Sequence, residues 1–406
     1  MRKKNATTIG SMLYRRPFPF PETDDSGTWF RKGNRRVNRR IDRAVSIADS
    51  TGFGIKAVLP VLLLFVVFSG DPLWGQMTSM IDATLPATTR RNILLNNTAI
   101  FKRLEEFTFH NPGTPERRSY NVWNEVNGDV ADMSDRDGIH GYSATTLGSS
   151  FGGEMQVLTD FVLGANMGLF QPDLTLNDGF SRAKGSLMML SVHSAWFADY
   201  WSVKSMIGYG YGDYNAERLD TADTGHWAIN YIGLGNRRQD SLFAALEIAK
   251  RVRFGDFWII PSYTFNYVHT RDKSYRERGL GNDNRTFAKR NNDGFLHTFA
   301  LELEYDFYFR GECLITPALR CAWVHDSSEG AIRSQGTGWE YDPASGEWAY
   351  EEFSVIGALT VPDLMQLGAG ITVNVGPKYL LFCRYDAEWA GDFSAHHFSA
   401  GYGLFW

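Results

Sequence analysis

Two clusters of histidine and aspartate are the residues in this chain best suited to acid–base chemistry. One is His325-Asp326; the other is His396-His397 with Asp392 just upstream. A histidine works as a general base when one carboxylate orients it and a nucleophile lies within hydrogen-bond reach. Neither cluster has a serine or second acid at a spacing that completes such a set. In an extended chain His396 and His397 point to opposite faces, so they cannot chelate together. Both clusters therefore read as polar rim residues, and no catalytic site is expected. Cys313, Cys321 and Cys383 lack zinc-site spacing. The first two fall in one expected strand, roughly 26 Å apart, too far to bridge. No metal or cofactor is expected. Gly208-Tyr209-Gly210-Tyr211-Gly212 alternates like a strand and is not a phosphate loop; its glycines are expected to leave room on the inner face for a helix.

The elements that carry these residues are strands. From Tyr120 onward the chain divides into twelve alternating segments: 119–131, 139–152, 155–170, 183–198, 200–215, 237–254, 256–272, 291–309, 312–326, 364–375, 378–390 and 394–406. Alternation of period two is the mark of a strand with two different faces. In the eighth, Phe295, Phe299, Leu301, Leu303, Tyr305, Phe307 and Phe309 share a face, while Glu302, Glu304 and Asp306 share the other. In the eleventh, Tyr379, Leu381, Cys383, Tyr385 and Trp389 face one way, and Arg384, Asp386 and Glu388 the other. The last strand sets Phe398, Ala400, Tyr402, Leu404 and Trp406 against Ser399, Gly401 and Gly403. Carboxylates are costly against lipid, so the apolar face is the outer one.

Connections also sort. Gly152-Gly153, Asp199-Tyr200, Gly255, Arg310-Gly311 and Gly376-Pro377 read as tight turns, whereas 216–236, 273–290 and 327–363 read as long loops. Short turns on one rim and long loops on the other fit an all-β, twelve-stranded antiparallel transmembrane β-barrel. Aromatic content of 14% suits interfacial girdles. A mean hydropathy of −0.29 excludes a helical membrane protein.

Ahead of the barrel lie two further regions. Residues 1–70 are an extended basic head followed by an apolar run, Ala57–Phe68, of signal-peptide length, with cleavage expected after Ser69 or Gly75. Residues 1–56 carry a net charge of +8 and the remainder −13. The arginine clusters stand without a nucleic-acid-binding fold around them, and no nucleic-acid partner is expected. Residues 71–118 form a short linker holding a helix over about 88–109, preceded by Pro86 and capped by Thr88 or Thr89. Ile93, Ile100, Phe101, Leu104 and Phe107 form its apolar stripe.

From about residue 88 to the end, the chain resembles the translocator domain of autotransporters (type V secretion). The resemblance rests on Asn121-Val122-Trp123, Gly141–Gly148, Ser205–Asn215, the strand around Pro261, Leu367-Gly368-Ala369-Gly370 and the terminal Leu404-Phe405-Trp406. It implies a twelve-stranded barrel with the helix threading its lumen. Arg90, Arg91, Lys102 and Arg103 would then meet the lumen carboxylates Glu247, Glu302, Glu304, Asp306 and Glu388. Gly401, Leu404 and Trp406 resemble the signal by which such barrels are recognised for insertion. The implied partners are outer-membrane lipid, barrel-insertion machinery and periplasmic chaperones, with the barrel a monomer in the outer membrane of a Gram-negative-type cell. Asn96-Asn97 resembles, in part, a pair at which some members release their passengers. There an asparagine amide attacks its own backbone carbonyl; here this is not the favoured reading. The family's long passenger has no room and no repeats in this chain. Translocation with little or no passenger is the expected function. A stand-alone porin, or a surface-binding barrel using loop aromatics Trp227, Trp339, Tyr341, Trp348 and Tyr350, is the alternative, and a hydrolase comes after both.

Overall fold

The computed structural model describes residues 80–109, 120–136, 140–177, 181–223, 228–281, 284–309, 313–328, 332–342, 347–357 and 361–406. The basic head, the apolar run Ala57–Phe68 and the connection Arg310-Gly311 lie outside the described residues.

Twelve long strands form the wall: β1 (Tyr120–Met133), β2 (Tyr142–Leu158), β3 (Phe161–Leu176), β4 (Ser181–Ala198), β5 (Trp201–Asp223), β6 (Ala228–Lys250), β7 (Phe257–Asp272), β8 (Arg290–Tyr305), β9 (Cys313–Asp326), β10 (Asp363–Val375), β11 (Tyr379–Ala390) and β12 (Phe393–Phe405). Each pairs antiparallel with its sequence neighbour. The sheet closes where β12 pairs with β1, from Asn121–Phe405 to Met133–Phe393. Closure removes the edge and pairs the backbone groups that lipid could not solvate. Short pieces, Val252–Phe254 on β7 and Phe307–Phe309 on β9, extend the wall at the short-turn rim.

The faces divide as the alternation requires. Phe299, Leu301, Leu303, Leu381, Tyr402 and Trp406 are exposed on the outside, while Glu302, Glu304, Glu388 and Ser399 are buried within. Asp199, Gly255 and Gly376 turn with positive φ at the short-turn rim, where tight connections favour that conformation.

Several expectations need correction. Gly152-Gly153 is not a turn; β2 runs through it to Leu158, and the chain turns at Thr159-Asp160. A Cβ on Gly152 would lie 2.6 Å from the Trp123 ring, so this glycine makes room for an inward tryptophan. The segment 216–236 is mostly strand, since β5 and β6 run on to Asp223 and from Ala228. Residues 273–290 and 327–363 also hold strands. Tyr275–Arg276, Thr286–Phe287, Arg333–Asp342 and Glu347–Ile356 build a separate four-stranded sheet at the outer rim. The sorting of loops is not strict either, because β11 and β12 join at that rim through Gly391-Asp392 alone. There, too, the Gly141 N–H and the Asn177 amide donate to Asp135, holding its carboxyl below the usual range.

The helix, α1, spans Met80–Phe109, so Pro86 lies inside it and Thr88 and Thr89 are not caps. A proline within a helix costs about 3 kcal/mol. Tertiary packing offsets this: Ala83 and Leu85 are fully buried, and Leu85 packs with Met133, Tyr142, Leu174, Tyr214 and Phe393 at the outer end. A second, inner cluster gathers Ile93, Ile100, Phe101, Leu104 and Phe107 against Trp123, Phe170, Met189, Phe243 and Phe405.

Candidate functional site: the lumen helix and its channel

The helix runs down the lumen with its amino end at the long-loop rim. Residues around most of its circumference are buried, including Thr89, Asn92, Asn96, Lys102, Arg103, Glu105 and Glu106. The less buried positions, Ala87, Arg91, Leu94, Leu95 and Thr98, recur at helical spacing and form one stripe. The helix therefore leans on one side of the barrel. Ile93, Ile100 and Leu104 pack with residues of β3 to β6, among them Phe170, Leu187, Met206 and Phe243. Its opposite face, from Ala87 through Thr98 to Glu105, lines a solvent-open cavity. The far wall is built from Ile260, Leu296, Glu302, Arg320, Gln366 and Glu388, among others. Along the helix axis, Ala87 to Glu105 covers roughly 27 Å, close to the thickness of a bilayer core.

Charge fixes the helix in place. Lys102 Nζ lies 2.7 Å from Glu302 and 2.5 Å from Glu304. Glu304 also accepts from Arg251 at 2.7 Å, and Arg251 reaches Glu105 at 3.0 Å. Glu105 accepts from Lys204 at 3.3 Å, and Lys204 pairs with Glu247 at 2.8 Å. The signs alternate along this chain of seven groups, and Arg384, 3.7 Å from Glu302, adds a fourth cation. In a buried setting such a network holds only while each charge keeps its partners.

Towards the outer end, Arg91 grips both oxygens of Asp129 at 2.8 Å and pairs with Glu388. Arg90 donates to Asp326 at 2.9 Å, to Ser328 at 3.0 Å and to the Asp293 carbonyl at 3.3 Å. Towards the inner end, Arg103 pairs with Glu106 and stacks on Phe382, and the Thr372 hydroxyl donates to Glu106 at 3.0 Å.

Of the carboxylates expected to hold helix cations, Glu302 and Glu304 meet Lys102, and Glu388 meets Arg91. Glu247 and Asp306 do not. Glu247 holds the wall residues Lys204 and Thr264. Asp306 sits at the inner rim, where it accepts from Trp258 and Thr316. Asp386 lies beside Gly368. The sequence reading missed Glu105 and Glu106 as acceptors on the helix itself, and Asp129, Asp326 and Arg251 as wall partners. Inward parity along β1 was the available signal for Asp129. It also missed a buried carboxylate in the wall, Glu154, which accepts from Trp123 at 2.6 Å and Asn121 at 2.8 Å and pairs with His193 at 3.1 Å.

Asn96 and Asn97 are buried in mid-helix. The Asn96 side-chain Oδ1 accepts from the Ser150 hydroxyl at 3.0 Å, and the Asn97 side-chain Nδ2 donates to Asn266 Oδ1 at 3.1 Å. Their side-chain partners among the described residues are hydroxyls and amides, with no carboxylate. The glycines of β5 face the lumen, but the space they leave goes chiefly to wall rings. A Cβ on Gly208 would lie 2.3 Å from Phe243, and one on Gly212 would lie 2.4 Å from Tyr214. Tyr214 in turn touches the helix, 2.8 Å from Thr89.

The histidine clusters separate. His325 pairs on the outside with Asp363 at 2.9 Å, whereas Asp326 points inward to Arg90. His396 bonds Tyr385 outside, and His397 lies 3.9 Å from Asp129 inside.

The geometry is that of a closed transmembrane barrel with a helix in its lumen. A family model for the autotransporter β-domain matches residues 122–386. The chain belongs to the autotransporter β-domain family. The translocator domain of autotransporter NalP from Neisseria meningitidis is 12% identical with a TM-score of 0.59, the match covering 79% of this chain and 99% of that one. The β-domain of the Bordetella autotransporter BrkA is 17% identical with a TM-score of 0.51, covering 70% and 98%. At these identities the two structures speak to the fold. No curated protein matches the chain. Members of this family are transport units of the outer membrane, and the lumen helix of this translocator barrel is its candidate working part.

Proposed function

We propose that this chain sits in the outer membrane and carries a polypeptide segment ahead of α1 to the cell exterior. Afterwards the helix remains as a partial plug. The supporting observation is the helix itself: its amino end lies at the long-loop rim, and Arg90, Arg91, Lys102 and Arg103 each reach a wall carboxylate, Arg103 that of Glu125 at 3.8 Å. The barrel acts without a catalytic site of its own, and the divergence of His325 from Asp326 supports that reading. Asn96-Asn97 stays intact, and an intact mass lacking a fragment that begins at Asn97 is the result that checks this. The outward Leu404 and Trp406 present the face we assign to the insertion machinery and chaperones, while Gly401 on the inner side leaves room for the Phe382 ring. The barrel functions as a monomer.

A second reading is a passive pore, favoured by the cavity beside the helix. Planar-bilayer conductance of the refolded protein, beside a variant lacking residues 70–110, separates the two. Low conductance that rises sharply on deletion supports the plugged translocator. High conductance unchanged by deletion makes the protein an open porin.

A further inference from the structure

We propose that the outer face of β4 to β7, above the apolar belt, docks phosphorylated headgroups of the outer-leaflet lipid. The proposal rests on the outer-membrane reading above.

The belt can be measured along β5. Outward Trp201 and Tyr211 are ten residues apart, roughly 33 Å along the strand. At a tilt near 40° that is about 25 Å of height, the usual span of the apolar band. Between them Ile207, with Leu242, Leu246 and Ile248 on β6, is exposed and apolar. Directly above, the register turns basic. Tyr211 lies opposite Asp240, and Asp240 opposite Arg271. One step higher, Asp213 lies opposite Arg238, whose carbonyl accepts from the Lys273 amide. Lys184 on β4 follows opposite Asn215. Arg278, bridged to Leu234, continues the column outward.

These cations are available. Lys184, Arg238 and Lys273 are 53%, 58% and 50% exposed. Asp173 and Asp240 hold Lys184 and Lys273, at 3.0 and 3.2 Å, and Arg238 is 4.0 Å from Asp213. Arg271 and Arg278 are exposed and make no ion pair among the described residues. Basic groups therefore outnumber acidic ones on this face. The other side of the barrel differs. Among the described residues, no Lys or Arg faces outward on β8 to β12; Asp293, Asp363, His325 and His396 stand above the belt there. Guanidinium and ammonium groups seated just above an apolar band, with Tyr209 bonded to Asp240 at 2.6 Å beneath them, match a layer of lipid phosphates. The charge confines that match to one side.

The test uses the full chain refolded in micelles and, separately, in lipid vesicles. Binding of a diphosphorylated acylated disaccharide is compared with binding of its dephosphorylated form, for the wild type and for Arg238→Gln/Arg271→Gln/Lys273→Gln. The triple variant should keep the heat-dependent gel mobility of a folded barrel and lose affinity for the phosphorylated lipid on the order of a hundredfold. A variant on the other side, Asp293→Asn, should bind as the wild type does. Equal affinity for the dephosphorylated lipid overturns the proposal. So does displacement by millimolar inorganic phosphate, which would mark a site for a soluble anion. A wild type that inserts into vesicles while the triple variant binds equally well overturns the patch alone. A wild type that never inserts overturns the membrane reading and the patch with it.

Discussion

Lys102 shows at one residue how the lumen stays ordered. Its ammonium sits between Glu302 and Glu304, and both carboxylates have further cationic neighbours in Arg384 and Arg251. Removing the ammonium leaves excess negative charge in a confined space. Lys102→Met should lower stability by about 3–5 kcal/mol, because breaking one side of a buried pair strands the other. Equilibrium unfolding of the refolded barrel measures this. Lys102→Met/Glu304→Gln should recover part of the loss, and equal midpoints for the single and double variants would argue against coupling. The pairing was half visible in the sequence. Parity along β8 put Glu302 and Glu304 on one inner face, and the helix needed basic residues to meet them. Which cation met which acid was not legible, since that depends on the rotation of α1 about its axis. Its apolar stripe does not settle that rotation by itself, because polar groups such as Thr89, Asn92, Asn96 and Arg103 are buried beside it.

At the level of elements, α1 is held at two ends by different means. The outer end uses Arg90 and Arg91 with the apolar collar around Leu85; the inner end uses the charge network around Lys102. Reversing the outer charges should free that end. Arg90→Glu/Arg91→Glu places new carboxylates beside Asp326, Asp129 and Glu388, and single-channel conductance should rise towards that of the helix-deleted barrel. Unchanged conductance would mean that these pairs do not seat the helix. Glycine positions make a complementary test of the wall. Gly208→Leu drives a side chain into Phe243 and the backbone of Leu190, and should destabilise the barrel by about 1–3 kcal/mol through overpacking. The twelve strands were legible because period-two alternation survives without tertiary context. Strand ends and Gly152-Gly153 were not, because a glycine read as turn chemistry also serves as room for a ring such as Trp123. The helix start was misread for a related reason. Pro86 is a local stop signal, and only the burial of Ala83 and Leu85 overrides it.

At the scale of the whole molecule, Trp406 bears on closure directly and on assembly through the role proposed for it above. Trp406 exchanges backbone hydrogen bonds with Tyr120 at 2.9 and 3.0 Å, and the two rings stack with centroids 6.3 Å apart. The seam between first and last strands therefore ends on this pair. The same tryptophan is exposed outward, as is Leu404, which is where the proposed insertion machinery would meet it. The two roles have different costs. Deleting Trp406 removes the final pair of a seam that still runs from Asn121–Phe405 to Met133–Phe393, and the refolded variant should be only about 1–2 kcal/mol less stable. In cells the same deletion should lower the amount of folded barrel in the outer membrane at least tenfold, while Trp406→Phe keeps an outward aromatic and restores most of it. Membrane fractionation with heat-dependent gel mobility reads the assembled amount, and unfolding of the purified protein reads the seam. If the two fall in proportion across deletion and substitution, Trp406 acts through seam stability alone, and the outward face assigned to the insertion machinery carries no separate information.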